Sequence, residues 1–250
     1  MTRTSEYLYR LWDQGQQHLA AGRYVAARTL LERASDLAWR ACDARSLARI
    51  FLPLLETRRL IRYQAAEGTI LIAESAAPPR RQLRRFSPGA AGTVLMYGNS
   101  GQATRAADAI CAAARRTGCA LEALLLLRHG HQASLASPHD PTYAAGLPVL
   151  WTRDPSVTIR ASTDPSLVIP LPPPAAYEGH STGLGALARE SLLIAWEALA
   201  LRWQSRHPLP AGAAPWDELR WLRQALAIDP ACEPITMRLI ALAEGVEKVE

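Results

Sequence analysis

Lysine is almost absent from this sequence of 250 residues: Lys248 is the only one, and arginine supplies every other basic side chain apart from histidine. The formal net charge is +5. Arginine binds phosphate through two parallel hydrogen bonds, but an arginine bias also follows from a GC-rich genome. Because the arginines are scattered over the whole chain, we favour the genomic cause.

Cysteine pairs and long apolar runs are missing as well. The absence of a CxxC motif excludes the usual zinc spacing and a secreted disulfide framework, so we expect reduced, buried thiols at Cys42, Cys111, Cys119 and Cys232. The longest apolar run, Ala123–Leu127, is much shorter than the about 20 residues of a membrane-spanning helix. Residues 1–9 lack the apolar core of a signal peptide. We expect a cytoplasmic protein without membrane contact.

Helical periodicity is present at both ends of the chain. Leu8, Leu11, Trp12 and Gly15 share one face, and the pattern resumes after Gly22. Pro53 divides the next stretch into two helices or kinks a single one. Near the other end, apolar residues return to helical spacing at Leu184, Leu187, Leu193, Trp196, Leu199 and Trp203.

The first helical segment carries a recognisable spacing of small and large residues, namely Leu11, Gly15, His18, Gly22, Tyr24, Ala27, Leu31 and Ala34. With these residues the segment 11–39 resembles a tetratricopeptide repeat, a helix–turn–helix unit of about 34 residues. His18 replaces the usual aromatic residue, and Trp39 stands where a closing proline is expected. Residues 216–230, which end in ALAIDP, are a poorer match. Two repeats are fewer than the roughly three of a free-standing solenoid, so the ends should pack on each other or on the middle.

The middle of the chain predicts a strand–helix–strand unit. Thr93–Tyr97 and Ala120–Leu127 are short apolar runs, and Gln102–Arg116 between them is helical, which predicts a parallel pair of strands. The helix should bury Ala106, Ala109, Ile110 and Ala113. Further candidate strands are Val149–Thr152, Val157–Ala161 and Leu167–Ile169, and the prolines of residues 170–174 end the unit.

The expected fold class is mixed α/β, with helical-repeat-like segments at both ends flanking a small, mostly parallel α/β unit. The expected boundaries are a helical segment over residues 1–75, a linker over 76–92, the α/β unit over 93–175 and a second helical segment over 184–250.

A glycine-flanked loop follows the first predicted strand and opens the predicted helix. Its candidate ligand-binding residues are Gly98, Asn99, Ser100, Gly101, Thr104 and Arg105. Such a loop at the carboxyl end of a strand brings backbone N–H groups and the helix dipole to an anion. The alternative is a simple helix cap with a glycine turn. The loop matches neither GxGxxG nor the GxxxxGK[ST] pattern.

Histidines follow the second predicted strand, so we expect them beside the glycine loop. Arg128 and His131 are candidate ligand-binding residues, and His129 is the candidate acid–base. His139 and Asp140 lie further along the chain. A solvated loop is the favoured alternative, and the sequence predicts neither a metal site nor a cofactor.

Two further sets favour a structural role. The first set is a group of arginines with few aromatic neighbours, so we do not expect nucleic acid as a partner. It comprises Arg80, Arg81, Arg84 and Arg85, with Arg58, Arg59 and Arg62 before them. We expect contacts with acidic neighbours such as Glu56 and Glu67 instead. The tryptophans Trp196, Trp203, Trp216 and Trp221 have the spacing of a packed seam, and a partner surface is the alternative.

The sequence TVLMYGNSGQATRAADA within residues 93–127 resembles the start of the α/β domain shared by regulatory subunits of translation initiation factor 2B and sugar-phosphate isomerases. The resemblance implies a pocket for a phosphorylated small molecule or nucleotide at residues 98–101. The acidic segment that this family has after its second strand is replaced here by Leu127-Arg128-His129-Gly130.

Two functions remain open. The first is a non-catalytic interaction or scaffold protein that binds another protein or forms a homo-oligomer, because no catalytic motif is complete. The second is an enzyme or sensor that binds a phosphorylated small molecule between the loop 98–101 and His129 and His131.

Overall fold

The structure is a computed structural model that describes residues 3–74, 89–97, 100–129, 132–139, 147–150, 181–182 and 186–247. Within these ranges the fold is mixed α/β and mainly helical. The chain divides into two compact units, residues 1–61 with 207–250 and residues 62–206. We call them the helical unit and the sheet unit. The predicted strands at 157–161 and 167–169, and the prolines at 170–174, lie outside the described residues.

The helical unit begins with α1 (Arg3–Ala20), α2 (Tyr24–Arg40) and the first part of α3 (Ala44–Glu67), joined by three-residue turns. Gly22 ends α1 at a φ of 72°, and the N–H of Arg23 donates to the carbonyl of His18 at 2.9 Å. This 6→1 bond is a Schellman motif, which needs a left-handed residue and therefore favours glycine. Cys42 ends α2 in the same way at a φ of 51°, and Asp43 then caps α3 by accepting the N–H of Ser46 at 2.9 Å.

Pro53 lies inside α3, which continues through it as one helix. Of the two alternatives that the sequence left open, division into two helices is therefore wrong. The carbonyl of Pro53 accepts a bond from the buried hydroxyl of Thr57 at 2.7 Å. This side-chain bond spans one helical turn and adds to the backbone hydrogen bonds of α3.

The helical unit also contains α6 (Pro215–Ile228) and α7 (Glu233–Glu247). Arg58 of α3 donates to the carbonyl of Pro230 and to Glu32, both at 3.2 Å. Arg223 of α6 contacts Asp36 of α2 at 3.0 Å. Helices from the two ends of the chain thus form one unit. The helix between them, α5 (Ala186–Arg206), belongs instead to the sheet unit, although the sequence grouped it with α6 and α7.

Trp39 packs among three helices of the helical unit. Its ring is 6.5 Å from that of Phe51 and 6.2 Å from that of Trp216, both in edge-on geometry. The guanidinium of Arg223 lies 4.9 Å from its ring centroid. A tryptophan at the end of α2 therefore fills the space between α2, α3 and α6. A tetratricopeptide repeat would have a proline at this position.

The sheet unit has six described strands in the order β5-β4-β3-β2-β1-β6. They are β1 (Thr69–Glu74), β2 (Ala91–Tyr97), β3 (Ala120–His129), β4 (Gln132–Ala136), β5 (Leu147–Leu150) and β6 (Ser181–Thr182). The β1–β2 and β2–β3 pairs are parallel, with α4 (Ser100–Arg116) connecting β2 to β3, and the other three pairs are antiparallel.

The sheet is therefore mixed and not mostly parallel. Only two residues separate β3 from β4, and a parallel partner would require a crossover of a dozen or more residues. The sequence interpretation missed β4 because it ended the second strand at Leu127, whereas β3 runs on to His129. It also included Thr69–Glu74, which form β1, in the helical segment over residues 1–75.

One face of the sheet packs against α4. The buried helix residues are Ala103, Ala106, Ala107, Ile110 and Ala114, and they cover Val94, Met96, Leu121 and Leu125 of the strands. Two of the predicted contacts are wrong, since Ala109 is exposed and Ala113 is half-buried. The buried stripe includes Ala107 and Ala114 instead, because the helix is rotated relative to the pattern that the sequence suggested.

The opposite face is buried as well. Thr93, Leu95, Leu124 and Leu126 are all at most 2% exposed. The hydroxyl of Thr93 donates to the carbonyl of Ala65 at the end of α3, 3.2 Å away. Buried strands with apolar residues on both faces are typical of the centre of an α/β sheet.

Candidate functional site

The carboxyl ends of β1, β2 and β3 lie at one edge of the sheet. The parallel registers place Glu74 beside Tyr97 and Tyr97 beside Leu126. Helix α4 begins at Ser100, three residues after this row, so its N-terminus lies near the same edge. Helix N-termini at the carboxyl edge of parallel strands favour anions. We call this region the carboxyl-edge site.

The sequence-predicted loop residues are placed only in part. Ser100 is the first residue of α4, Gly101 and Arg105 on the same helix are exposed, and Thr104 is half-buried. Gly98 and Asn99 lie outside the described residues. The first N–H groups of any α-helix lack a carbonyl partner within the helix itself, which is why helix N-termini in general favour anions.

Arg128 and His129 are the last two residues of β3, and not part of a loop after it. His129 lies three residues beyond Leu126, which pairs with Tyr97. Three residues of strand span about 10 Å, so the end of β3 extends well past the end of β2. The candidate residues thus share a sheet edge but are offset along the strand direction. His131 lies outside the described residues.

His139 is separated from the end of β3. Strand β4 runs antiparallel to β3 and pairs Gln132 with His129 but Ala136 with Leu125. Four residues of antiparallel strand span about 14 Å, and His139 follows this strand away from His129. The backbone N–H of His139 donates to Ser137 at 3.2 Å, and its Nδ1 lies 3.9 Å from Asp108 of α4.

The predicted histidine set is therefore not one cluster, and Asp140 lies outside the described residues. Nowhere in the described ranges do three or more His, Cys, Asp or Glu side chains come together in a way that could hold a metal ion.

The arginines of α3 have internal partners. Arg58 contacts Glu32, and Arg59 forms an ion pair with Glu233. Arg62 lies over the ring of Trp196, 4.5 Å from its centroid, within the sheet unit. The acidic partners of Arg58 and Arg59 thus come from α2 and α7. Arg80, Arg81, Arg84 and Arg85 lie outside the described residues.

The four tryptophans differ in burial. Trp196 and Trp203 of α5 are buried, as a packed seam requires. Trp216 and Trp221 of α6 are half-buried, and the indole N–H of Trp221 donates to the carbonyl of His207 at 2.6 Å.

A second candidate surface was missed in the sequence. Tyr7 and Tyr9 of α1 are 41% and 54% exposed. The hydroxyl of Tyr7 accepts a bond from Arg33 of α2 at 2.8 Å, and the ring of Tyr9 is 5.3 Å from that of Trp12. We call these tyrosines and Trp12 the α1 aromatic surface. Because Leu8, Leu11 and Gly15 form the buried face of α1, the sequence already implied that Tyr7 and Tyr9 flank this face. That pattern could have identified the surface.

Comparison with known proteins found no match for this chain. No protein-family model matches the chain, and neither the curated proteins nor the solved structures gave a match. Among the described helices, none is long and apolar enough to span a membrane.

Proposed function

We propose that this protein binds another protein chain through the α1 aromatic surface of its helical unit. The observation that carries the proposal is the exposure of Tyr7 and Tyr9, which flank the buried face of α1 on its two sides. Exposed aromatic side chains are enriched at protein interfaces, because they bury a large apolar area at little cost in side-chain entropy.

The helix that presents these tyrosines is held in a fixed position. Leu8 and Leu11 of α1 are buried, and Gly15 lies directly against Leu31 of α2. The bond from Arg33 restrains the ring of Tyr7 before any partner binds. A preordered surface loses less conformational entropy on association, which favours affinity.

The proposal is tested by site-specific photo-crosslinking in cells that express the protein. A photoreactive phenylalanine derivative replaces Tyr9 in one variant and Gln224, an exposed residue of α6, in a control. We expect adducts of defined mass from position 9 and none from position 224. Light scattering on the purified protein then tells whether the partner is a second copy. Equal adduct patterns at both positions would contradict the proposal.

The carboxyl-edge site supports a second candidate function, the binding of a phosphorylated small molecule. The parallel register of β1, β2 and β3 favours it, because it brings three strand ends and the start of α4 to one edge. A thermal-shift screen with nucleotides and sugar phosphates tests it, since a ligand at 100 times its Kd adds about 2.7 kcal/mol to the free energy of unfolding. No shift, or a shift that Ser100→Ala leaves unchanged, would reject this site.

A further inference from the structure

We infer that the partner of the helical unit presents an acidic segment, which binds beside Tyr7 to exposed arginines of α1 and α2. The inference rests on the proposed function and adds the chemistry of the partner. It starts from the acidic residues of α2, which are already engaged within the unit: Glu32 contacts Arg58, and Asp36 contacts Arg223.

Internal pairing leaves an excess of positive charge on the outer side of α1 and α2. Arg10, Arg33 and Arg40 are exposed, and within the described residues none of them forms an ion pair. Glu6 precedes Arg10 by one turn, and Asp13 accepts a bond from Gln17 at 2.8 Å. The three arginines are thus available to carboxylates of a partner.

Arg10 and Arg33 lie beside Tyr7, and Arg40 lies further along α2. Arg33 bonds to the tyrosine hydroxyl, and Arg10 follows Tyr7 by three residues, which places the two on neighbouring positions of the helix surface. Arg40 is seven residues after Arg33, or two helical turns, and therefore lies on the same face of α2. We call Tyr7, Arg10, Arg33 and Arg40 the arginine patch.

The composition of the patch favours an acidic peptide over nucleic acid. Arginine binds carboxylate and phosphate alike through two parallel hydrogen bonds, so the number of arginines, and not their type, separates the two partners. The exposed part of Tyr7 adds an apolar contact between the charges. Proteins with a strongly salt-dependent affinity for DNA make about 6–10 phosphate contacts, and three arginines supply fewer. Two further arginines that contact α2, Arg58 and Arg223, are engaged with Glu32 and Asp36.

The test uses selection from a displayed library of random peptides on the full-length protein. Selected peptides are then synthesised and measured by fluorescence anisotropy against the wild type and the triple variant Arg10→Gln/Arg33→Gln/Arg40→Gln. A matched control, Arg49→Gln/Arg116→Gln/Arg206→Gln, removes the same charge from exposed positions elsewhere. A triple Arg→Lys variant of the patch keeps the charge, and circular dichroism verifies the fold of every variant.

We expect the selected peptides to be rich in Asp and Glu. The patch variant should lose roughly tenfold or more in affinity, the control variant should not, and added salt should weaken binding. The Lys variant should lose part of the affinity, because lysine keeps the charge but cannot make the two parallel hydrogen bonds.

The contrary outcomes separate the inference from the proposed function. Peptides that depend on Tyr9 but lack acidic residues would overturn the inference and leave the function standing. The failure to select any peptide that depends on Tyr7 or Tyr9 would overturn both. An equal loss in the control variant would overturn the inference in favour of a general charge effect. Competition by an oligodeoxythymidylate would overturn it in favour of nucleic acid.

Discussion

Gly15 of α1 and Leu31 of α2 approach so closely that a Cβ atom on Gly15 would lie 2.7 Å from Cγ of Leu31. Leu31 is fully buried, and its Cγ is a branch point that cannot move aside without moving the whole side chain. The absence of a side chain at residue 15 therefore sets the distance between the two helices.

We predict that Gly15→Ala lowers the free energy of unfolding of the helical unit by about 1–3 kcal/mol, because the added methyl group overpacks the contact. The matched control is Gly245→Ala on α7, where a Cβ would meet no atom within 4 Å. Alanine should there add up to about 1 kcal/mol through its helix propensity. Urea unfolding followed by circular dichroism measures both. A stabilised Gly15→Ala variant would show that the two helices are not held at this distance.

Gly15 also shows how far the sequence could predict the fold. Its apolar neighbours one turn away define a helix face, and Gly22 and Gly118 mark helix ends at φ values of 72° and 71°. These signals are local, because each depends on a few consecutive residues. For the same reason β2, α4 and β3 are found within a few residues of their predicted positions.

Pairings between distant residues could not be predicted in this way. The packing of Trp39 against Trp216 joins residues that are far apart in sequence, and no local period reports such a contact. Strand β1 did leave a local signal, the run Thr69-Ile70-Leu71-Ile72 after Gly68, whose β-branched residues favour a strand. The offset between Tyr97 and His129 depends on the strand register, which a single sequence does not specify.

The turn between α2 and α3 offers a stabilising substitution. Cys42 has a φ of 51°, a left-handed conformation that costs a residue with a Cβ about 1–2 kcal/mol. We predict that Cys42→Gly raises the free energy of unfolding by about 0.5–1 kcal/mol, since glycine loses part of this gain to chain entropy. Cys42→Ala is the control, because it removes the exposed thiol but keeps the strain. If alanine stabilises as much as glycine, the thiol and not the backbone is responsible.

The contact of Trp39 with the C-terminal helices should contribute far more stability than the nearby ion pairs. Trp39 is 8% exposed, whereas the side chains of Arg59 and Glu233 are 37% and 53% exposed. We predict that Trp39→Ala costs about 3–5 kcal/mol through loss of buried area and a cavity. Arg59→Ala should cost at most about 1 kcal/mol, because an exposed ion pair is screened by water. Urea denaturation of both variants decides this, and similar losses would contradict the argument.

Gly68 joins α3 to β1 at a point where the backbone itself leaves no room. A Cβ atom there would lie 2.1 Å from the carbonyl oxygen of Ala91 and 2.4 Å from its carbonyl carbon. Ala91 is the first residue of β2 and pairs with Ala120 of β3, while Gly92 pairs with Thr69 of β1. The carbonyl group therefore cannot move without disturbing both parallel pairs.

We predict that Gly68→Ala destabilises the sheet unit by about 3 kcal/mol or more, at the upper end of the usual cost of overpacking, because the clash is with backbone atoms. Gly118→Ala is the control: it has a φ of 71° but no atom within 4 Å of a Cβ, so its cost should be only the strain of about 1–2 kcal/mol. Hydrogen exchange followed by mass spectrometry locates the effect. Gly68→Ala should reduce protection in β1, β2 and β3 and leave α1 and α2 protected, because the latter belong to the other compact unit. A loss in α1 and α2 as large as that in the strands, or a Gly68→Ala variant no less stable than Gly118→Ala, would refute the prediction.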